Sequence, residues 1–491
     1  MPESSTSADD LATRTLADLV NDHPAAADET LLYDDRTELS AGDARAAVHA
    51  LADRLRALGV QPGQPVLMQL PNSVEALIGM LAIWAAGAVL VPLNHRAPAK
   101  ERARVLQAIR VAAILDESGL ASTDGAPQTF DAGVAFVTWT SGTTGPPKAI
   151  VHTHSGYFEL LDRVLTSIPR TGAASGSVPS GPPNLVPVAL ALNSGIYNAL
   201  FGLRAGRAVV LMDRFEPIRF AELIRRFGIK STVLPPAAIA MLNDAPAGTD
   251  LAPLRYVRSI TAPLSPVVAR AFRKRFGVFV LNSYGQAEVG EVIGWSAADA
   301  REHPDKVGAA GRPHVGVDVK VVDDNGRPLG RDEVGQLMVR PPSTAAGYAT
   351  GEDLSERFDA EGYLATGDLG SVDEEGFVWI TGRLGEVIVR GGNKVYPTEV
   401  EDVLRCAPAV ADAAVVAASD ERLGELPVAF VADAPGVSPA SDAELEALCR
   451  EQLVAYKVPA AFHRRTKLPR NEIGKILRKE LQRELDAETA G

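Results

Sequence analysis

Thr140-Ser141-Gly142-Thr143-Thr144-Gly145-Pro146-Pro147-Lys148 is the stretch on which the reading of the fold turns. It follows an apolar, β-prone run, Val134 to Trp139, and precedes an expected helix from His154. The stretch is small, hydroxylated and glycine-rich, and it ends in a lysine. Gly142 and Gly145 admit backbone angles closed to other residues. Successive N–H groups can then converge on an anion, with Ser and Thr hydroxyls as further donors. Two readings stand at this point: a phosphate cradle, or an ordinary turn after a strand. A Walker loop is excluded, because that pattern needs Gly-Lys-Ser/Thr, whereas Pro147 precedes Lys148 and Ala149 follows it.

Working outward, the chain of 491 residues is long enough for two or more domains, and its 46% hydrophobic and 23% charged residues are those of an ordinary globular protein. A net charge of -13 argues against nucleic acid as the main partner, since phosphate backbones need clustered Lys and Arg. The two cysteines, Cys406 and Cys449, form neither a metal-binding spacing nor a disulfide framework, which fits a reducing cytoplasm. Met1 to Asp10 lacks the basic and apolar regions of a signal peptide. Ala76 to Leu93 is uncharged and near the lower length limit for a membrane span. Gly87 is expected to end a helix begun near Ser73, leaving Val89 to Pro92 as a buried strand.

Before the loop, Asp43 to Leu58 carries Val48, Leu51, Leu55 and Leu58 at helical spacing, with Gly59 as a C-cap. Strands at Pro65 to Leu70, Val89 and Val111 to Leu115 alternate with helices from Ser73 and over Lys100 to Ile109. Such alternation implies parallel β-α-β units, an α/β fold. Asp116 to Gly133 and Pro169 to Pro183 read as surface loops. Strand–helix alternation resumes from Leu185, and a strand over Val278 to Leu281 leads into Asn282-Ser283-Tyr284-Gly285-Gln286-Ala287-Glu288. From Gly316 the pattern becomes antiparallel, with Asp323-Asp324-Asn325-Gly326 as the turn between Val317 to Val322 and Gln336 to Arg340. After Gly382-Arg383-Leu384-Gly385-Glu386 the texture is that of a small α+β unit. The expected domains are therefore 1–384 and 385–491.

Five blocks, Thr140 to Lys148, Tyr284 to Glu288, Tyr363 to Asp368, Gly382 to Pro397 and Pro469 to Lys475, stand in the order and spacing of the adenylate-forming superfamily. The chain resembles its acyl- and aryl-CoA synthetases. The resemblance implies a large N-terminal domain of mixed parallel sheets with helices and a distorted β-barrel, and a small mobile α+β C-terminal domain. It implies ATP, Mg2+ and CoA as cofactors. By the same resemblance, Thr140, Ser141, Gly142, Thr143, Thr144 and Lys148 hold phosphates, and Tyr284, Gly285, Asp368 and Arg383 hold the adenosine. Glu288 binds magnesium. Lys475 bridges carboxylate and α-phosphate, and the catalytic groups are Lys475, Glu288 and Thr144. Gly385 takes the hinge position, Gly391 and Gly392 line a thiol tunnel, and Ala455-Tyr456-Lys457 resembles a segment near the CoA adenine. Taken singly, Glu288 reads equally as a surface carboxylate, Asp368 as an Asx-turn and Lys475 as a solvated lysine.

Departures from the family pattern gather at the acid pocket, placed at Leu192, Asn193, Thr261, Ala262 and Gly285. Leu192 stands where His is usual, Thr261 where Gly is usual and Ala287 where Thr is usual. The expected reaction is adenylation of a small aliphatic or aromatic acid with pyrophosphate release, then transfer to CoA. The alternatives are a carrier-protein thiol as acceptor, nitrite activation for diazotisation of an amine, or a non-catalytic nucleotide-binding relative.

Overall fold

The computed structural model describes residues 14–139, 148–167, 181–349, 353–471 and 475–490. The expectations for Thr140, Ser141, Gly142, Thr143 and Thr144, for most of the Pro169 to Pro183 loop and for Glu472 to Gly474 lie outside these residues.

A seven-stranded sheet runs in the order Gly347–Tyr348, Ala149–Thr153, Val134–Trp139, Val89–Pro92, Pro65–Gln69, Ala113–Asp116 and Gly119–Ser122. Its four strands from Val134–Trp139 to Ala113–Asp116 are mutually parallel. They are buried on both faces, which explains their continuous apolar runs. Helix Val74–Ala85 packs in the same core, with every side chain from Ala76 to Trp84 buried. Its ends are set locally: the Ser73 hydroxyl accepts from the Ala76 N–H at 3.2 Å, and Gly87 takes φ +78. Among the described residues no helix is long and apolar enough to cross a membrane.

The structure corrects one expectation and adds two elements. Residues 119–122, assigned to a surface loop, form an antiparallel edge strand against Ala113–Asp116. The β-branched, buried segment Ala149–Thr153 is a strand inserted before helix His154–Ser167. It pairs antiparallel with Val134–Trp139, Trp139 opposite Ala149, so residues 140–148 connect adjacent strands. The stretch after Pro235-Pro236, unassigned from the sequence, is a short helix, Pro236–Asn243, started by proline at its first turn.

A second sheet orders Glu38–Ser40, Thr30–Tyr33, Val209–Leu211 and Asn184–Val186. A third has parallel strands Ser231–Leu234, Tyr256–Ser259 and Phe279–Gln286, then antiparallel Gly290–Gly294 and Arg312–Pro313. The motif expected after a strand is thus itself strand: Phe279–Gln286 turns through Ala287–Val289 and pairs with Gly290–Gly294. A fourth, antiparallel sheet orders Asp318–Val322, Gly335–Arg340, Leu364–Val372 and Val378–Arg383. The Asp323 to Gly326 turn forms, closed by Asp323 N–H to Arg327 O at 2.9 Å, but the connection continues to Gly335.

From Ile388 onward a fifth sheet, Asn393–Val395, Ile388–Arg390, Gly424–Asp433, Val410–Asp420, with Phe462–Arg465 beside Gly424–Asp433, carries helices on both faces. Its two apolar clusters draw only on residues from Ile388 to Leu485.

Candidate active site

The Leu364–Val372 and Val378–Arg383 strands set Asp368 directly opposite Arg383. Arg383 Nε donates to Asp368 Oδ1 at 2.7 Å. On the other oxygen, Oδ2, Tyr284 OH donates at 2.6 Å and Gln286 Nε2 at 2.9 Å. Gln286 Nε2 also reaches Thr366 O at 2.8 Å, and Thr366 Oγ1 takes the Asp368 N–H at 3.0 Å. Tyr284 and Gln286 lie two apart on one strand, hence on one face, and the third sheet is thereby stitched to the fourth. Burial first, and the Asp368 carboxylate second, push the Tyr284 phenol well above its ordinary range, so it remains a donor. Gly285, between them, is fixed sterically: a Cβ there would lie 2.1 Å from Gly290 O.

Lys475, from the far end of the chain, lies within electrostatic reach of this cluster. Its N–H donates to Asn471 Oδ1 at 2.8 Å, shortly before helix Arg478–Ala490. Burial first, then Arg383 and Arg478, lower its ammonium to about 8 against the opposing pull of Glu386 and Asp368. Arg478 anchors the same segment, donating to Glu386 Oε2 at 3.0 Å and to both oxygens of Glu401.

Glu288 sits at the hairpin turn, 7% exposed. Its Oε1 accepts from Tyr348 OH at 2.9 Å and from Arg357 Nη1 at 2.5 Å. Lys148 Nζ stands 4.9 Å from the centre of the Tyr348 ring. Lys148 and Glu288 are thus brought to one tyrosine, and a cavity of about 30 Å3 opens between Glu288, His152, Tyr157 and Asn193. The larger groove, about 340 Å3, is lined by Lys320, Asp323 and Leu384 and contains none of these residues. The Mg2+ implied by the family pattern finds one acidic oxygen, since Glu288 Oε2 accepts nothing from the described residues. That donor set fits a magnesium held chiefly by phosphates and water. Among the described residues no cluster of three metal-ligating side chains exists.

On the acid side, Leu192 precedes helix Asn193–Arg204, and Asn193 Oδ1 accepts from Tyr157 OH at 2.9 Å. Gly195 is obligatory, because a Cβ would fall 1.9 Å from Ala189 O. Thr261 takes φ +76, a left-handed angle that a β-branched residue adopts only under strain. Its Oγ1 is buried without a partner among the described residues, and Ala262 follows it half-buried. Gly391 and Gly392 make the turn between Ile388–Arg390 and Asn393–Val395, with φ +56 and +84. No hydrogen bond or ion pair among the described residues joins that turn to Asp368 or Tyr284. Gly385 is exposed in the short 3-10 turn Leu384–Glu386, where a Cβ would meet nothing and no left-handed angle is required. Arg357, Tyr348 and Gln286 escaped the sequence reading. Of these only Gln286, inside a quoted block, carried a signal.

The strand-linked Asp368 cluster, built from the blocks that resemble the adenylate-forming enzymes, points to that class. The chain belongs to the AMP-binding enzyme family: the model of that family matches residues 19–130 and 121–349, and the model of the AMP-binding enzyme C-terminal domain matches 399–475. It is accordingly a ligase of the AMP-forming, acid–thiol type. Similar proteins include 4-coumarate–CoA ligase 5 of Oryza sativa subsp. japonica, 32% identical over 94% of this chain and 92% of that one. The fatty acid–[acyl-carrier-protein] ligase ScoC of Streptomyces coeruleorubidus is 31% identical over 88% and 89%. The amide bond synthetase McbA of Marinactinospora thermotolerans superposes with TM-score 0.83 at 28% identity, over 96% of this chain and 99% of that structure.

Proposed function

We propose that the chain activates a small aliphatic or aromatic carboxylic acid with ATP and transfers the acyl group to CoA. A carboxylate oxygen attacks the α-phosphorus, pyrophosphate leaves, and an acyl-adenylate results. The CoA sulfur then attacks the acyl carbon and AMP leaves. Residues 1–384 form the ATP- and acid-binding unit in this reading, and residues 385–491 the unit that moves at Gly385. Asp368 receives the ribose hydroxyls beside Arg383, Tyr284 and Gly285 lie against adenine, and the 140–148 connection with Lys148 receives the β- and γ-phosphates. Lys475 spans the attacking carboxylate and the α-phosphate. Magnesium bound at Glu288 supplies charge neutralisation on the phosphates. Glu288 itself is oriented by Tyr348 and Arg357. In the thiol step Gly391 and Gly392 line the approach of the pantetheine arm.

The observation that supports this reading is the buried Asp368 carboxylate held by Arg383, Tyr284 and Gln286 across two sheets, within the blocks that resemble the family's nucleotide site. The test is pyrophosphate release over a panel of acids with and without CoA. AMP formation without any use of CoA overturns the thiol half. A second reading keeps adenylation and changes the acceptor to an amine or a carrier-protein thiol. It is favoured by the likeness to an amide bond synthetase and to an acyl-carrier-protein ligase. Mass spectrometry of the acyl product with CoA, amines and carrier proteins separates the two.

A further inference from the structure

Arg357 stands between the two carboxylates of the candidate site, and its two terminal amino groups serve different halves of it. Nη1 donates to Glu288 Oε1 at 2.5 Å and to Tyr348 OH at 3.2 Å. Nη2 donates to Gln286 Oε1 at 3.1 Å and to Ala365 O at 2.9 Å. Gln286 extends the line, because its Nε2 donates to Asp368 Oδ2 at 2.9 Å. Glu288, Arg357, Gln286, Asp368 and Arg383 are thus joined in that order, each to the next by a hydrogen bond of 3.1 Å or less.

The chemistry of each link leaves little freedom. A guanidinium is planar and its terminal amino groups stand at a fixed separation, so holding one partner places the other, which a lysine ammonium cannot do. Gln286 turns its oxygen to a cation and its nitrogen to an anion and to Thr366 O. A reversed amide would oppose donor to donor at one end and acceptor to acceptor at the other. Arg357 is itself held from below. It closes the 3-10 turn Leu354–Arg357, where Asp353 Oδ1 accepts the Ser355 N–H at 2.8 Å and Leu354 is buried. The Arg357 side chain is 27% exposed and that of Glu288 9%, so solvent screens this pair less than a surface one. Burial works against the Arg357 charge, but Tyr348 and Glu288 outweigh it and raise the group above its ordinary range.

We infer that Arg357 is a positioning residue that couples Glu288 to Asp368, so that a change at the metal-binding carboxylate alters affinity at the ribose-binding one. The inference rests on the proposed nucleotide site and adds a link between its two ends. Arg357 and Tyr348 both engage Glu288 Oε1, which leaves Oε2 for the cation among the described residues. Through Gln286 the same guanidinium orients the Asp368 carboxylate for the ribose hydroxyls. The spacing between the phosphate end and the ribose end of ATP is thereby set before ATP binds. In this reading adenosine touches the Asp368 end and not Glu288, so an effect of Glu288 on adenosine has to cross Arg357 and Gln286.

The test is a double-mutant cycle read by calorimetric binding of adenosine, with no metal, phosphate or acid present. Glu288→Gln keeps the shape of the side chain and removes its charge. In the native background it should weaken adenosine about threefold or more. Arg357→Met should weaken adenosine about tenfold, and Glu288→Gln added to it should cost nothing further. Arg357→Lys, which holds one partner at a time, should fall between native and Arg357→Met. Melting temperatures show whether each variant folds. If Arg357→Met does not, Gln286→Met, which removes no charge, takes its place in the cycle with the same expectation. A Glu288→Gln loss that is equal in both backgrounds, or absent from the native one, overturns the coupling and leaves the adenylation reading standing. Coupling with no pyrophosphate release from any acid keeps the coupling and removes that reading. A native chain that binds neither adenosine nor AMP removes the nucleotide site and the coupling with it.

Discussion

Lys475 carries the sharpest residue-scale consequence. In the unfolded chain it titrates near the ordinary 10.5, and in the folded cluster at about 8. Below about 8 the folded protein holds a charged ammonium at a burial penalty, and that penalty fades as pH rises from about 8 toward 10.5. Catalysis runs the other way, because the charged form is the one that meets phosphate. The kcat/KM of adenylation should fall as pH rises through about 8. A pyrophosphate-release profile flat across that region contradicts the assignment. Lys475→Ala should lower adenylation by about 100-fold or more while sparing CoA thioester formation from supplied acyl-adenylate. The ends of the Asp368 cluster were legible in the sequence because Asp368, Arg383 and Lys475 sit in spaced blocks. Arg357 and Tyr348 were not, because their role exists only once residues 60 and 69 positions apart meet at Glu288.

At the scale of elements, alternating apolar runs made the parallel strands readable, and glycine punctuation made their helices readable. What the sequence hid were strands whose partners are antiparallel and near in sequence. Ala149–Thr153 looked like the lead-in to a helix, and Gly290–Gly294 has too many glycines to read as a strand. The hairpin exists because Gly285 lets the Gly290 carbonyl approach to where a Cβ would stand. Gly285→Ala should therefore cost about 1–3 kcal/mol by overpacking, seen as a lowered melting temperature, and weaken ATP binding by calorimetry through displaced Tyr284. Gly195→Ala faces a similar clash with Ala189 O, so it should destabilise the start of the Asn193 helix and reduce acid affinity more than ATP affinity. Thr261, read from the sequence only as an unusual choice, proves to hold a strained angle. Thr261→Gly relieves that angle and should widen the range of acids accepted, without lowering the melting temperature.

On the scale of the whole molecule, few polar interactions among the described residues link the C-terminal sheet and its helices to the rest of the chain: Lys394 meets Asp324 at 3.1 Å, and the Asp402 carboxyl lies near the Ser265 side chain. Burial raises the Asp402 carboxyl despite Arg405 beside it. Cysteines placed at Ser265 and Asp402, in a Cys406→Ser background, should trap this arrangement on oxidation. The trapped enzyme should still release pyrophosphate and should lose thioester formation, both recovered on reduction; thioester formation at full rate while trapped would show that no rearrangement is needed. The sequence conveyed this bipartite organisation through its change of texture after Glu386. It conveyed the acid pocket poorly, since that pocket is assembled from helix faces and a strand turn with no shared motif. The most direct test of the whole account is product analysis by mass spectrometry of ATP, CoA and a panel of acids. The account predicts AMP, pyrophosphate and an acyl-CoA, with acyl-adenylate alone accumulating when CoA is omitted. Formation of ADP and phosphate, or no acid-dependent pyrophosphate with any acid, would contradict it.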